Sequence, residues 1–321
     1  MNSKDLILVL AGEPNSIFLE IFFKSIKKIK LKNPLILVGS YKLLKLQMRK
    51  LNLKKKIKLL DRKNIQDYKL DNTSINLIDV KYNTNKAFEN ISAKSNNYIK
   101  KCFNLTFKII KKHKVKKLIN GPINKKTFLN KKFLGITEYI SEEFKLKKSA
   151  MLIYNKELSV CPITTHLPIK LVSKKINKKN ISDKVFLINK FYLRKFGFKP
   201  RIAILGLNPH CESILKYNED DKIIKPTINY LKAKYRVSGP YSADTIFLKN
   251  NRKNFDVIIG MYHDQVLTPL KTLFEYDAIN ITLGLPFDRI SPDHGPNEKM
   301  VGKNSSNPLS LIRAIQFLEK Y

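Results

Sequence analysis

The sequence predicts an α/β layered protein, and three observations carry that reading. Short continuous apolar runs of strand length recur along all 321 residues, as at 6–10, 34–39, 115–119, 201–207 and 256–260. Between them lie longer segments whose apolar residues fall at helical spacing. The order at the N-terminus is strand, helix, strand, which implies a right-handed parallel crossover. Alternation of this kind over the whole length argues for sheets covered by helices.

Residues 6–10 read as a buried parallel strand that ends in the turn Ala11-Gly12-Glu13-Pro14. Phe18, Leu19, Phe22, Ile26 and Ile29 mark the first helix, and 34–39 the second strand. Residues 41–80 are lysine-rich and weakly patterned, and no element is assigned there. One long helix is expected over 85–112, from Ala87, Ile91, Ile99, Phe103, Phe107 and Ile110. A strand at 115–119 leads to Asn120-Gly121-Pro122, and another helix opens at Gly135-Ile136-Thr137-Glu138. Residues 151–154 and 158–163 read as paired strands, and 180–196 as a helix. A strand at 201–207 ends in Asn208-Pro209-His210-Cys211, and 226–233 is helical with proline in its first turn. Residues 239–245 are expected to turn into a further helix. The runs 256–260 and 278–284 are short buried strands ending in glycine, and 308–320 closes the chain as a helix.

Composition narrows the function classes. Hydrophobic residues make up 43% of the chain, which a disordered protein would not have. The net charge is +36, from 62 Lys and Arg against 26 Asp and Glu. The lysines are spread along the whole chain and accompany many Asn and Ile, with no zinc finger or RNA-binding signature. Specific nucleic-acid recognition is therefore not expected, although such charge favours weak adhesion to polyanions at low salt and steers phosphorylated substrates. Three cysteines without Cys-x-x-Cys spacing suit a reducing cytoplasm. No apolar run approaches the ~18 residues of a membrane span, and the N-terminal run reads as a strand and not as a signal peptide. No Gly-x-Gly-x-x-Gly loop occurs, so an ordinary Rossmann nucleotide site is unsupported.

The chemistry-bearing side chains concentrate between Gly260 and Gly295, where Lys becomes sparse. His166, His210 and His263 each follow a predicted buried strand by one to three residues. In a parallel sheet the C-terminal strand ends share one edge, where α/β proteins build their sites. A lone histidine at such a place is most often a satisfied surface or core residue. Three in the same structural position could also hold a divalent metal and leave coordination positions open. Spacing leaves both readings standing. Asp244 and Asp264 are candidate partners that would fix an imidazole tautomer. Lys271 and Arg289 are candidates for anion binding, with Arg suited to bidentate contacts. Asn280, inside an apolar strand, needs a partner if buried, either structural or from a ligand. His294, in Asp293-His294-Gly295, is either structural or a cofactor contact. Cys211 beside His210 is a weak thiol-ligand candidate, because neighbours in an extended chain point apart.

Seven motifs fall in order along nearly the full chain: Gly-Pro-x-x-Lys at 121–125, Thr-Thr-His-Leu-Pro at 164–168, Gly-Leu-Asn-Pro-His at 206–210, Ala-Asp-Thr at 243–245, Tyr-His-Asp-Gln at 262–265, Asn-Ile-Thr-Leu-Gly-Leu-Pro-Phe-x-Arg at 280–289 and Asp-His-Gly at 293–295. Together they resemble the 4-hydroxythreonine-4-phosphate dehydrogenases of pyridoxal phosphate (vitamin B6) biosynthesis. The resemblance implies two α/β/α subdomains with a central cleft, as in isocitrate and isopropylmalate dehydrogenases, split near 1–125 plus 290–321 and 126–289. It implies a homodimer whose metal-binding histidines come from both subunits. It further implies NAD or NADP bound without the glycine fingerprint, and one divalent ion (Zn, Mg or Co) in each site.

Carried over residue by residue, the metal ligands are His166, His210 and His263, and the substrate contacts Thr137, Lys271, Asn280 and Arg289. Lys271 and Asp244 are the candidate catalytic residues, and Asp293, His294 and Gly295 the candidate cofactor contacts. The implied reaction is oxidation of 4-phosphooxy-L-threonine to a β-keto acid that decarboxylates to 3-amino-2-oxopropyl phosphate. Related enzymes act on phosphorylated threonates or erythronates, and a non-catalytic phosphometabolite or polyanion binder is the alternative of another class. Four departures from the family pattern stand out. Ile136 replaces the usual histidine, the first loop lacks its later glycines, the segment after His210 is shorter, and Pro296-Asn297 replaces a common Thr-Ala.

Overall fold

The computed structural model describes residues 5–129, 132–133 and 135–321. The chain divides into two compact units, one of residues 1–136 with 286–321 and one of 137–285.

The first unit opens with β1 (Ile7–Leu10), whose four residues are all buried because helices cover both faces of a parallel sheet. Helix α1 (Phe18–Lys28) comes next, burying Phe18, Ile21 and Phe22. Its last-turn Lys27 and Lys28 complement the helix dipole. After β2 (Leu35–Gly39) come α2 (Tyr41–Lys50), β3 (Ile57–Leu59) and β4 (Ile75–Asp79). Thus the segment without a readable pattern holds three elements. Only four residues of α2 are buried, and its lysines dilute the periodicity. Its N-terminus is capped by Ser40, whose hydroxyl accepts from Leu43 N at 3.3 Å.

Helix α3 runs from Asn96 to His113, so it begins eleven residues after the expected start at 85. The reason is tertiary. Gln47 Nε2 donates to Ala87 O, Thr84 Oγ1 accepts from Lys86 N, and Asn15 Oδ1 accepts from Glu89 N. These side chains take the backbone groups that a helix would use. Then come β5 (Lys117–Asn120) and the short α4 (Lys125–Phe128).

The second unit begins within α5 (Ile136–Glu143) and continues through β6 (Ala150–Tyr154), β7 (Ser159–Thr164), α6 (Lys178–Phe196) and β8 (Ile202–Leu205). A π-helical turn at Asp220–Ile224 enters α7 (Lys225–Lys232). Strand β9 (Val237–Tyr241) occupies residues expected to turn into a helix, and a run of turns then connects it to the short α8 (Lys249–Arg252). Next are β10 (Val257–Tyr262), α9 (His263–Phe274) and β11 (Ile279–Leu283). The chain returns to the first unit with β12 (Asp288–Pro292) and α10 (Leu309–Lys320).

The strand order of the first unit is β3-β4-β2-β1-β5-β12, with every pairing parallel. That of the second is β11-β6-β7-β10-β8-β9. There β11, β6 and β7 pair antiparallel, whereas β7, β10, β8 and β9 run parallel. Val160, Leu205 and Ile258 pack with Val266 and Leu270 of α9 in one apolar cluster. Among the described residues no helix is long and apolar enough to cross a membrane.

Candidate active site on the second unit

The three histidines sit where parallel topology places them. His166 comes after β7, His263 after β10 and His210 after β8, and these strands are neighbours in the order β7-β10-β8. Their C-terminal ends share one edge. Thr164 Oγ1 donates to Met261 O at 2.8 Å and reinforces the last pair of the β7–β10 ladder, Thr164 with Tyr262. The His166 and His263 rings lie 5.6 Å apart, centroid to centroid, at an interplanar angle of 40°.

The imidazole of His263 is oriented by its neighbour. Its Nδ1 lies 2.6 Å from Asp264 Oδ1. A carboxylate only accepts, so Nδ1 carries the proton and the Nε2 lone pair is left for a ligand. The expected tautomer-fixing role therefore belongs to Asp264. Asp244, the other candidate, is exposed in the turns after β9 and lies within electrostatic reach of Cys211. Burial first, and then the charges of Asp220 and Asp244, hold the Cys211 thiol above its ordinary range. A thiol kept protonated is a poor metal ligand.

His210 stands on a different kind of support. It has φ 55° and Cys211 has φ 61°, two consecutive non-glycine residues in the left-handed region. Such conformations cost about 1–3 kcal/mol each and persist only where neighbours impose them. Asp220, fully buried, does so. Its Oδ1 accepts from Leu207 N at 2.8 Å, and its Oδ2 from Asn208 N at 3.1 Å and Asn208 Nδ2 at 2.8 Å. Gly206 makes the approach possible, since a Cβ there would lie 2.7 Å from both Asp220 Oδ1 and Cys211 Sγ. Gln265 braces the same edge, accepting from Met261 N at 2.7 Å and donating to Gly206 O at 2.8 Å. Thus β10 and β8 are stapled directly below His263 and His210.

Sequence reasoning singled out neither Asp220 nor the bracing role of Gln265. Gln265 belongs to the motif Tyr-His-Asp-Gln, but its partner Gly206 is 59 positions away. Glu138 was missed as well. Its Oε1 accepts from Thr165 Oγ1 at 3.1 Å, beside His166, and its Oε2 is buried with no hydrogen-bond partner among the described residues. A buried carboxylate oxygen without a donor is costly, so it fits a site that receives a cation or a donor from a ligand.

Among the described residues no group of three or more His, Cys, Asp or Glu is arranged to hold a metal ion. A three-histidine set drawn from two subunits would not be complete within one chain; a single chain brings together the pair His166 and His263. With nitrogen–metal distances of about 2.1 Å, rings 5.6 Å apart leave room for one ion between them. Two imidazoles are chemically suited to a divalent cation, and a third protein ligand would complete a catalytic site.

The candidate substrate residues divide between the units. In the second unit Thr137 is buried on α5, its Oγ1 3.5 Å from Thr282 Oγ1 on β11. Asn280 is on β11 with its Oδ1 buried and, among the described residues, without a hydrogen-bond partner, so its amide oxygen can accept from a ligand. Lys271 is exposed near the end of α9, about 12 Å along the helix from His263 at 1.5 Å per residue. In the first unit Arg289 is fully buried on β12, and its Nε donates to Asn120 Oδ1 at 2.5 Å. Asp293, His294 and Gly295 form the loop after β12. Asp293 N donates to Ser310 Oγ at 2.9 Å, and His294 Nδ1 lies 2.9 Å from Gly295 O.

This arrangement meets close likenesses among known proteins. The chain is 37% identical over 317 residues to a 4-hydroxythreonine-4-phosphate dehydrogenase from Sulfurihydrogenibium sp., covering 97% of this chain and 96% of that one. It is 31% identical over 249 residues to a D-threonate 4-phosphate dehydrogenase from Pectobacterium atrosepticum, covering 75% and 76%. A crystal structure of 4-hydroxythreonine-4-phosphate dehydrogenase from Klebsiella pneumoniae superposes with a TM-score of 0.82 at 27% identity, covering 98% of both chains. The family model described as pyridoxal phosphate biosynthetic protein PdxA matches residues 30–318. Spanning nearly the whole chain, that match establishes that the chain belongs to the PdxA family.

Proposed function

We propose that the protein is a dehydrogenase that oxidises 4-phosphooxy-L-threonine with NAD or NADP, in the synthesis of pyridoxal phosphate. The observation that carries this reading is the imidazole pair His166 and His263, 5.6 Å apart at the edge shared by β7 and β10, in a chain of this family. His166, His210 and His263 are the proposed ligands of one divalent ion (Zn, Mg or Co), drawn from two copies of the chain. The exposed run Ile214, Leu215 and Tyr217 just after His210 supports such a dimer, because isolated monomers rarely leave adjacent large apolar side chains in water.

When bound, the ion supplies Lewis acidity that makes the substrate's secondary hydroxyl easier to deprotonate. The Asp244 carboxylate takes the proton, and the Lys271 ammonium, too far along α9 to reach an ion on His263 of its own chain, donates a hydrogen bond to the oxygen left behind from the second copy of the chain. Asn280 Oδ1, which has no donor among the described residues, accepts from the substrate ammonium group, and Thr137 and Arg289 make the remaining substrate contacts. Asp293, His294 and Gly295 contact the nicotinamide cofactor, which receives the hydride. Substrate and oxidised cofactor thus give the β-keto acid, reduced cofactor and a proton. Loss of carbon dioxide, with the ketone accepting the electron pair, leaves 3-amino-2-oxopropyl phosphate. Three free, buried cysteines fit residence in a reducing cytoplasm.

The test is absorbance of reduced cofactor with 4-phosphooxy-L-threonine, before and after EDTA, for the native protein and His210→Ala. Chelator-sensitive turnover that His210→Ala abolishes is expected. A folded, metal-loaded dimer that reduces no cofactor overturns the reading. Ile136, where the family pattern has histidine, and the likeness to a D-threonate 4-phosphate dehydrogenase favour a phosphorylated threonate as the second reading. Faster turnover of D-threonate 4-phosphate than of the amino acid phosphate would select it.

A further inference from the structure

The first unit contains a recess on elements that carry none of the residues assigned above. It measures about 630 Å³ and is formed by α2, the connection after it and the start of β3. That size is typical of small-molecule sites. Five of its eleven lining residues are Lys or Arg and none is acidic, whereas Lys and Arg are 62 of the 321 residues overall. The enrichment is local, beyond the general basicity of the chain.

The cations differ in what they already do. Lys42 Nζ donates to Asn85 Oδ1 at 2.7 Å, and Lys45 Nζ sits 5.3 Å from the centroid of the Tyr41 ring. The side chains of Arg49, Lys54 and Lys55 have no hydrogen-bond or carboxylate partner among the described residues. Lys55 is half-buried, which places its stem against the recess. Beside these three lie Leu46, Leu53 and Ile57, each half-buried and turned to the same recess. The Asp79 carboxylate is outside the lining and accepts from Tyr41 N at 2.7 Å. Unpaired guanidinium and ammonium groups next to an apolar surface complement a ligand that is anionic at one end and apolar at the other.

We propose that this recess binds a small organic phosphate, its phosphate held by Arg49, Lys54 and Lys55 and its apolar part laid on Leu46, Leu53 and Ile57. The inference goes beyond the dehydrogenase reading and does not depend on it.

The experiment is calorimetric titration of the full-length protein at physiological salt with 1-naphthyl phosphate, inorganic phosphate and 1-naphthol as probes. Naphthyl phosphate is expected to bind at least about tenfold more tightly than either fragment. Arg49→Gln with Lys54→Gln is expected to weaken it by about tenfold or more, with melting temperature and dehydrogenase activity unchanged. Lys271→Ala should leave this affinity intact. Three results would overturn the proposal. One is inorganic phosphate binding as tightly as the naphthyl ester, which marks a counterion atmosphere. Another is loss of probe binding in Lys271→Ala, which moves the probe to the substrate site. The third is a short oligothymidylate displacing the probe with a steep salt dependence that the double substitution flattens, which makes the surface a nucleic-acid track.

Discussion

Replacing Asp220 by asparagine tests whether one buried carboxylate holds the strained turn that presents His210. Asp220 accepts three hydrogen bonds, from Leu207 N, Asn208 N and Asn208 Nδ2. In the variant one oxygen can still accept from Leu207 N. The other becomes an amide nitrogen facing two donors. Hydrogen bonds to a charged group contribute about 1.5–3 kcal/mol each, so losing two costs ~3–6 kcal/mol before relaxation. Rotation of the Asn208 amide can restore one partner, which leaves a net cost of about 2–4 kcal/mol. The left-handed His210 and Cys211 store about 1–3 kcal/mol each. The two sums are comparable, so the turn should relax toward ordinary backbone angles. Hydrogen exchange is the assay. The amides of Leu207, Asn208 and Cys211, the last bonded to Asn208 O at 3.1 Å, should exchange ~30-fold faster or more. The melting temperature should fall by roughly 5–15 °C, taking about 2–4 °C per kcal/mol. Unchanged protection of these three amides would refute the reasoning, because the turn would then hold its shape without the carboxylate.

Three further substitutions probe other parts of the molecule. Glu13 is buried, and burial raises its carboxyl above the ordinary range against opposing hydrogen bonds from Asn15 N and Ser95 Oγ. A raised folded-state value means stability that is present below the unfolded value and lost as pH rises through the folded one. Glu13→Gln should therefore melt higher than the native protein at pH 7 to 8, with the gap closing toward pH 4; its amide can donate to Ser95 Oγ, which still donates to Ser92 O. A Cβ at Gly121 would lie 2.3 Å from Ala11 O and 2.7 Å from Phe18 Cγ, so Gly121→Ala should lose about 2 kcal/mol or more in urea unfolding. Gln265→Leu removes both ends of the staple between β10 and β8 and leaves Met261 N and Gly206 O without it. A loss of ~2–4 kcal/mol and a weakened zinc affinity by competitive chelator titration are expected; an unaltered affinity would show that the staple does not set the imidazole geometry.

Elements were legible in the sequence where a single physical signal dominated. The buried parallel strands β1, β2, β8 and β10 are continuous apolar runs, because helices cover both sheet faces and no polar alternation is needed. Strand β12 was not legible for the opposite reason. Its residues are Asp288, Arg289, Ser291 and Pro292 around a single Ile290, yet all are buried, and Arg289 is kept there by the Asn120 side chain of β5. Helix α9 was hidden by Pro269 in its interior, a residue that ordinarily ends a helix. The early segment of the expected 85–112 helix failed because Asn15, Gln47 and Thr84 offered its backbone other partners.

The sequence by itself determined the alternation of strands and helices, and the order of motifs by which the chain resembles the family it belongs to. Those are local properties: side-chain types in order, read one stretch at a time. Tertiary structure alone decided which of them meet. It set His166 against His263, made Asp264 the partner of His263, and left Glu138 and Asn280 each with a buried oxygen lacking a donor among the described residues. It also made Asp220 and Gln265 the supports of the edge. Hydrogen-bond satisfaction inside a core depends on groups brought together from distant parts of the chain, and no pattern along the chain encodes that distance.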